Sequence, residues 1–376
     1  MTATLAKPAT SAPTAPTPSK VRDGLFVVAL YVTSIVGALA LSALLVSVTG
    51  GSWSKVFTAL LDGSLRNDGA WGQTLSKMAP LLIVAIGAIV SARAGLVNIG
   101  QEGQLLVGAI FAAYAANHFG GPGLLMLVIA LAFGALGGAL WAGIAAALKY
   151  GRGVPEVLST LLLVSVAFPL LEYGLRSKKL LLDTDPTVKQ QLNTGTRIPA
   201  DRHLPQIELF GNRFQFGVLI ALAVAAAGAV VLGRTVWGFR LRMLGLNART
   251  AQRMGVAAAV LGTIALIVSG ALAGLAGGVL LTGTPDYRVT LGYSRNFGWD
   301  GLLVALLARE KPLLAIPMAF VFASLRTGSD FLAVTGVARD IVNVVQALLV
   351  LALLIPPAIL FIRDRRRAMA ATRSRT

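Results

Sequence analysis

Residues 25–48 read LFVVALYVTSIVGALALSALLVSV, an apolar run that contains no charged residue. The run has 24 residues, which is enough for a helix to cross the hydrocarbon layer of about 30 Å. It exceeds the apolar core of about 7–15 residues in a signal peptide. Lys20 and Arg22 precede it. We therefore interpret it as an uncleaved first transmembrane helix that enters the membrane from the cytoplasm.

The composition extends this interpretation to the whole chain. Hydrophobic residues make up 56% of the 376 residues and charged residues only 13%, whereas a soluble domain carries about 25% charged residues. The chain has no cysteine, and its two histidines are His118 and His203. Disulfides, thiolate ligands and a histidine metal cluster are thereby excluded. The composition excludes a soluble enzyme and predicts neither a metal site nor a cofactor.

Further apolar runs predict a polytopic, all-α membrane protein with about ten crossings. Eight of these runs lie at residues 78–92, 103–116, 124–148, 155–175, 216–232, 256–281, 313–324 and 341–362. One more, at residues 301–308, is too short to span as an ordinary helix and is counted as a broken crossing. An even number of crossings places both termini in the cytoplasm. We expect a transmembrane domain over 24–363, a disordered tail over 1–23 and a basic tail over 364–376.

The distribution of the net charge of +17 supports this orientation. Basic residues crowd the segment 233–255 and the C-terminus, as expected for cytoplasmic loops. The loop at about 176–213 disagrees, since it carries a net charge of +3 and the scheme places it outside. Nucleic-acid binding is not expected, because no basic stretch alternates with stacking aromatic residues.

Two segments of the chain resemble each other. Residues 99–107 read IGQEGQLLV and residues 297–304 read FGWDGLLV, so that both contain an apolar residue, Gly, any residue, an acid and Gly. They begin the third and the eighth crossing. An odd offset inverts the second copy, which predicts an inverted repeat with halves at about 74–175 and 256–362. In transporters the interface of such halves forms a path near the membrane midplane.

The two acidic segments are the candidate translocation pathway. Glycines beside each acid predict broken helices at Gly100, Gly103, Gly298 and Gly301, which are tolerated only where protein or water covers the backbone. Two compatible interpretations remain open for the acids: they cap helix N-termini, or they line a polar path. Trp299 either stacks on a solute or anchors the chain at the membrane interface. The candidate pathway residues are Asn98, Gln101, Glu102, Gln104, Trp299 and Asp300.

The energy for transport is expected to come from another chain, because the sequence has no GxxxxGK[ST] phosphate loop. An ion-coupled secondary transporter is the alternative, although few ionisable residues fall within the apolar runs. Asn247 is predicted to cap a short helix over 248–254, which suits docking into a soluble partner or lying on anionic lipid. The candidate coupling residues are Arg242, Gly245, Asn247, Arg249, Arg253 and Gly255.

Four stretches resemble a known family. Residues 94–104, AGLVNIGQEGQ, resemble the GLxNIGxEGQ signature of ABC-importer permeases of the branched-chain amino acid/ribose superfamily, closest to the nucleoside and simple-sugar branch. Residues 153–161 (GVPEVLSTL), 238–255 and 298–309 (GWDGLLVALLAR) resemble further motifs of that branch in the same order. Pro155 and Val164 depart from it, because each stands where the pattern has Asn.

The resemblance implies a ten-helix permease of the bacterial plasma membrane that is not itself an enzyme. It implies three partners: a cytoplasmic ATP-binding subunit, a second permease chain (a paralogue or a second copy) and an extracytoplasmic solute-binding lipoprotein. It also implies that closure of the ATP-binding subunit pushes on the 247–255 segment. A nucleoside is the first expectation for the solute, a simple sugar the second and a branched-chain amino acid the third.

Overall fold

A computed structural model describes residues 20–48, 52–183, 194–209 and 211–334, together with scattered residues between 344 and 370. The chain divides into two units, Leu45–Gln346 and a smaller one formed by Met1–Leu44 with Ala347–Thr376. Most of the predicted tails and much of the predicted crossing 341–362 lie outside the described residues.

The elements are almost entirely helical, which confirms the all-α polytopic fold. The smaller unit contains most of α1 (Lys20–Val48). The larger unit contains α2 (Trp53–Leu61), α3 (Ala70–Arg93), α4 (Gln101–His118), α5 (Gly123–Arg152), α6 (Glu156–Arg176), β1 (Gln206–Leu209), β2 (Asn212–Gln215), α7 (Gly217–Arg234), α8 (Val236–Leu246), α9 (Ala248–Arg253), α10 (Ala258–Gly283), α11 (Phe297–Leu307) and α12 (Pro312–Val334). A π-helical turn, Asp62–Arg66, follows α2 and a 3-10 turn, Ala200–Arg202, precedes β1.

Seven described helices are long and apolar enough to cross a membrane: α1, α3, α5, α6, α7, α10 and α12. The helix α11 has 11 residues and a length of about 16 Å, which is half the thickness of the hydrocarbon layer. Its shortness agrees with the broken crossing predicted at residues 301–308. A polar, non-helical segment at 284–296 leads into α11 from the end of α10.

The core lies where α10 packs against α3, α4 and α5. Small residues allow the backbones of α5 and α10 to touch. A methyl group on Gly138 would collide with the carbonyl oxygen of Gly270 and lie 2.7 Å from the nitrogen of Gly274. Helices in lipid associate through such close backbone approach, so the glycines that recur every four residues along α5 and α10 serve helix packing.

The prediction that the glycines beside the two acids break helices is wrong for three of the four. Gly100 precedes α4, but Gly103 lies inside α4, and Gly298 and Gly301 lie inside α11. Each permits a close contact between helices instead. The Cα of Gly298 lies against the backbone of Glu102, where a methyl group would collide.

The two ends of α3 contact different parts of the chain. At its start, Gly72 lies against the carbonyl oxygen of Arg213 in the hairpin that β1 and β2 form, a feature that the sequence does not predict. At its end, the side chain of Arg93 donates two hydrogen bonds, of 3.1 and 2.8 Å, to the carbonyl oxygen of Glu310. Gly72 and Arg93 are 21 residues apart in α3, which separates these contacts by about 32 Å. We call the two sides the hairpin end and the α9 end of the protein.

Candidate functional site

The side chain of Asn98 is the centre of a buried amide network. Its Nδ2 donates to Oε1 of Gln104 at 2.9 Å and to Oγ of Ser269 at 3.0 Å. Its Oδ1 accepts from Nε2 of Gln104 at 3.0 Å and from the backbone nitrogen of Gly100 at 3.1 Å. Both amides are 1% exposed. The network therefore fixes the loop before α4 to the middle of α10.

A second amide extends the network to α3. Gln101 donates from Nε2 to Oγ of Ser269 at 2.9 Å, and Ser269 donates in turn to Oγ of Ser91 at 3.4 Å. The Oε1 atom of Gln101 is buried and accepts no hydrogen bond within the described part of the chain. A buried polar atom without a partner is expensive, so this oxygen is available to a donor that enters the network.

The carboxyl group of Glu102 caps α11, a helix about 195 residues further along the chain. It accepts hydrogen bonds from Oγ of Ser294, from the backbone nitrogen of Asn296 at 3.2 Å and from that of Gly298 at 2.7 Å. The side chain is 1% exposed. Of the two interpretations left open for this acid, capping is what the structure shows, but of α11 rather than of its own helix.

The other acid, Asp300, forms a buried ion pair with Arg326 of α12. Arg326 also donates to the carbonyl oxygen of Arg295, and its guanidinium carbon lies 4.1 Å from the ring centroid of Phe297. The side chains of the pair are 11% and 13% exposed. Arg326 thereby joins α12 to the first turn of α11. Trp299, the residue before Asp300 in α11, is half-buried.

A cavity of about 510 Å³ opens at the hairpin end, beside the start of α11. Phe297, the first residue of α11, and Tyr293 are part of its wall. The Tyr293 hydroxyl donates to the carbonyl oxygen of Gly277 at 2.9 Å, and burial raises the pKa of this hydroxyl well above its usual range, so that it stays protonated. The polar and aromatic walls include Gln73, Lys77, Gln206, Arg213, Phe214, Gln215, Asp286, Arg288 and Arg295.

The residues that line this cavity do not include the six predicted pathway residues, all of which the structure describes. Asn98, Gln101 and Gln104 come together in the buried amide network, Glu102 caps α11, and Asp300 pairs with Arg326. The cavity adjoins the cap of α11 at the segment 293–298, because Tyr293 and Phe297 face the cavity while Ser294, next to Tyr293, donates a hydrogen bond to Glu102. Val164 is not part of the cavity wall; its Cα lies 3.0 Å from where a methyl group on Gly103 would stand.

The α9 end carries the predicted coupling segment. Asn247 caps α9, because its Oδ1 accepts from the backbone nitrogen of Thr250 at 3.0 Å, which confirms the predicted cap. Leu246 and Met254 flank this helix with 82% and 71% of their surface exposed. The residues Arg242, Gly245, Arg249, Arg253 and Gly255 are exposed as well. Ala251 is buried and holds the inner face of α9 to the protein.

Sequence reasoning missed Arg326, Ser269 and Tyr293. A signal existed for Arg326, since it is a cation within the apolar helix α12 and Asp330 follows it by one turn. Ser269 and Tyr293 give no such signal, because a serine within an apolar helix and a tyrosine in a loop are both common.

Comparison with known proteins adds independent evidence. A family model described as branched-chain amino acid transport system / permease component matches residues 71–354. The guanosine ABC transporter permease protein NupP of Bacillus subtilis is 30% identical over 90% of this chain and 96% of its own length. The nucleoside ABC transporter permease protein NupB of Lactococcus lactis is 29% identical over 84% of this chain and 88% of its own. The glucose ABC transporter permease protein of Haloferax volcanii is 29% identical over 75% of each chain.

Proposed function

The chain belongs to the family of branched-chain amino acid transport system permease components, and from this premise we propose that it is the permease subunit of an ABC importer for a nucleoside. The observation that carries the proposal is the arrangement of α3. A solute-sized cavity lies at the start of this helix and an exposed, capped docking helix lies beyond its end. A permease driven by a separate ATPase needs both features on opposite membrane faces.

The cavity suits an uncharged solute with hydroxyl groups and an aromatic base. Its volume of about 510 Å³ lies within the usual range for small-molecule sites, about 300–1,000 Å³. Three glutamine amides supply donors and acceptors, and three aromatic rings supply stacking surfaces. Lys77 and Arg295 both pair with Asp330, at 2.8 and 3.7 Å, and Arg213 pairs with Glu208 at 3.1 Å, so these three cations of the wall have an anionic partner. Simple sugars remain the second candidate.

The proposed path leads from the cavity past the start of α11 to the amide network. Asn98, Gln101 and Gln104 offer amide groups there, and Trp299 and Asp300 stand on the first turn of α11. Polar groups at this depth are expensive unless they serve a path or a network. The two segments are proposed to belong to inverted halves, 74–175 and 256–362, which move relative to each other during transport.

The α9 end is proposed to be the cytoplasmic face, with both chain termini on the same side of the plasma membrane. The ATP-binding subunit binds α9 through Leu246, Met254 and the arginines beside them. The solute-binding lipoprotein approaches the hairpin end, and a second permease chain completes the assembly. ATP binding shifts the conformation only if the ATPase binds the two states with different affinity.

The test is uptake of radiolabelled guanosine by proteoliposomes that contain the complete importer. Uptake is expected to require ATP, and unlabelled uridine is expected to compete better than glucose or leucine. Replacement of residues 247–253 by a Gly/Ser linker should abolish co-purification of the ATPase. Uptake by this chain alone, driven by an ion gradient, would instead establish a secondary transporter and refute the proposal.

A further inference from the structure

Gly245, the next-to-last residue of α8, lies directly on the backbone at the end of α3. A methyl group on Gly245 would lie 2.5 Å from the carbonyl oxygen of Arg93 and 2.9 Å from the nitrogen of Gly95. A methyl group on Gly95 would lie 2.9 Å from the Cα of Gly245. Carbon atoms in favourable contact are about 3.5–4.0 Å apart. The two backbones therefore pack against each other with no side chain between them.

Gly95 belongs to the loop 94–100, which we call the network loop because it carries Asn98. The loop is attached to α6 at two places: the nitrogen of Val97 donates to Glu156 at 3.4 Å, and that of Ile99 donates to Thr160 at 3.3 Å. The loop ends at α4, whose second residue, Glu102, caps α11. A displacement of the network loop therefore displaces its contacts with α4, α6 and α10 and, through Glu102, with α11.

On the other side of the contact, α8 and α9 form a stiff unit. Asn247 alone joins them, because it is both the C-cap of α8 and the N-cap of α9. Leu241, Leu244 and Ala251 bury the inner faces of the two helices. The outer face of α9 is exposed and can bind a partner. Gly245 lies only two residues before Asn247, so a displacement of α9 also displaces Gly245.

We propose that the contact between Gly245 and Gly95 transmits movement of α9 to the network loop, and that Gly245 is a positioning residue for transport. The proposal rests on the proposed function, in which an ATPase binds α9. Backbone-to-backbone contact suits this role, because no side-chain torsion can absorb the displacement and packed interiors transmit strain. Glycine is required for the contact and not for the backbone conformation, since Gly245 lies within a helix.

The substitution Gly245→Ala separates the two backbones without straining α8. The matched control is Gly151→Ala: Gly151 is also exposed and next to last in its helix, α5, but a methyl group there meets nothing within 4 Å. In the complete importer we expect Gly245→Ala to lower guanosine uptake about tenfold, with ATPase turnover unchanged. Gly151→Ala should change neither rate. Equal uptake in the two variants, or loss of assembly in Gly245→Ala alone, overturns the proposal.

A second measurement does not depend on the solute. The chain has no cysteine, so Val97→Cys places a single thiol on the network loop, where Val97 is 49% exposed. Trapping the ATPase with vanadate should change the rate at which a maleimide labels this thiol, and Gly245→Ala should abolish the change. If vanadate does not change the rate of maleimide labelling in the Val97→Cys protein that retains Gly245, the proposal is overturned. A vanadate response without any guanosine uptake would refute the proposed solute and leave this inference standing.

Discussion

The substitution Glu102→Gln tests whether the cap of α11 stabilises the fold. The carboxyl group of Glu102 accepts three hydrogen bonds, two of them from backbone nitrogens at the start of α11. Glutamine has the same length but only one acceptor atom, and its amide nitrogen would face donors. The change therefore removes the negative charge from a helix N-terminus and leaves at least one buried donor without a partner.

The expected loss of stability is about 3 kcal/mol. An anion at a partly buried helix N-terminus is worth up to about 2 kcal/mol. A buried donor that loses its acceptor costs about 1–3 kcal/mol. The two contributions overlap, because the same hydrogen bonds carry part of the interaction between charge and helix, so their sum is an upper bound.

The assay is the free energy of unfolding, measured by titrating dodecylsulfate into protein held in mild-detergent micelles. The matched control is Glu172→Gln, which removes a carboxylate with 44% of its side chain exposed and a partner, Arg176, one turn away. Exposed pairs of this kind contribute about 0.5 kcal/mol. Equal losses for the two variants would refute the assignment of Glu102 as a structural cap.

Three further changes have defined outcomes. Asn247→Ala removes the cap of α9, costs about 1 kcal/mol of helix stability and should weaken co-purification of the ATPase while the chain still folds. Gly138→Ala should destabilise the protein by about 1–3 kcal/mol through collision with α10, whereas Gly143→Ala, where a methyl group meets nothing within 4 Å, should stay within about 0.5 kcal/mol in the same titration. Arg326→Gln leaves the carboxylate of Asp300 buried without its cation and should cost about 3–5 kcal/mol, part of which a second substitution, Asp300→Asn, should restore.

The helices could be predicted because the membrane leaves the backbone few alternatives. Apolar runs must satisfy their hydrogen bonds internally, so each long run becomes a helix. Asn247 could also be predicted, because a cap acts on residues three positions away in the same sequence. Both features depend on local sequence, which is visible without a structure.

The partners of the two acids could not be predicted, because they lie far away in the chain. Nothing in the sequence near Glu102 indicates that its carboxyl group binds Gly298, or that Asp300 pairs with Arg326. The glycines beside the acids predict broken helices, but glycine occurs both where a helix breaks and where two helices pack closely. The sequence alone does not tell these two roles apart. The structure distinguishes the two, because Gly298 lies within α11 and against the backbone of Glu102.

The glycine contacts between α5 and α10 restrict how the protein can change shape. Each helix belongs to a different one of the two proposed halves, and the carbonyl oxygen of Gly134 lies against Gly274 as that of Gly270 lies against Gly138. Two surfaces with interlocked ridges resist sliding past each other but tolerate a small change of angle. The line between α5 and α10 would then act as the hinge, and the opening for a solute would have to form away from it, beside the start of α11 where the cavity lies.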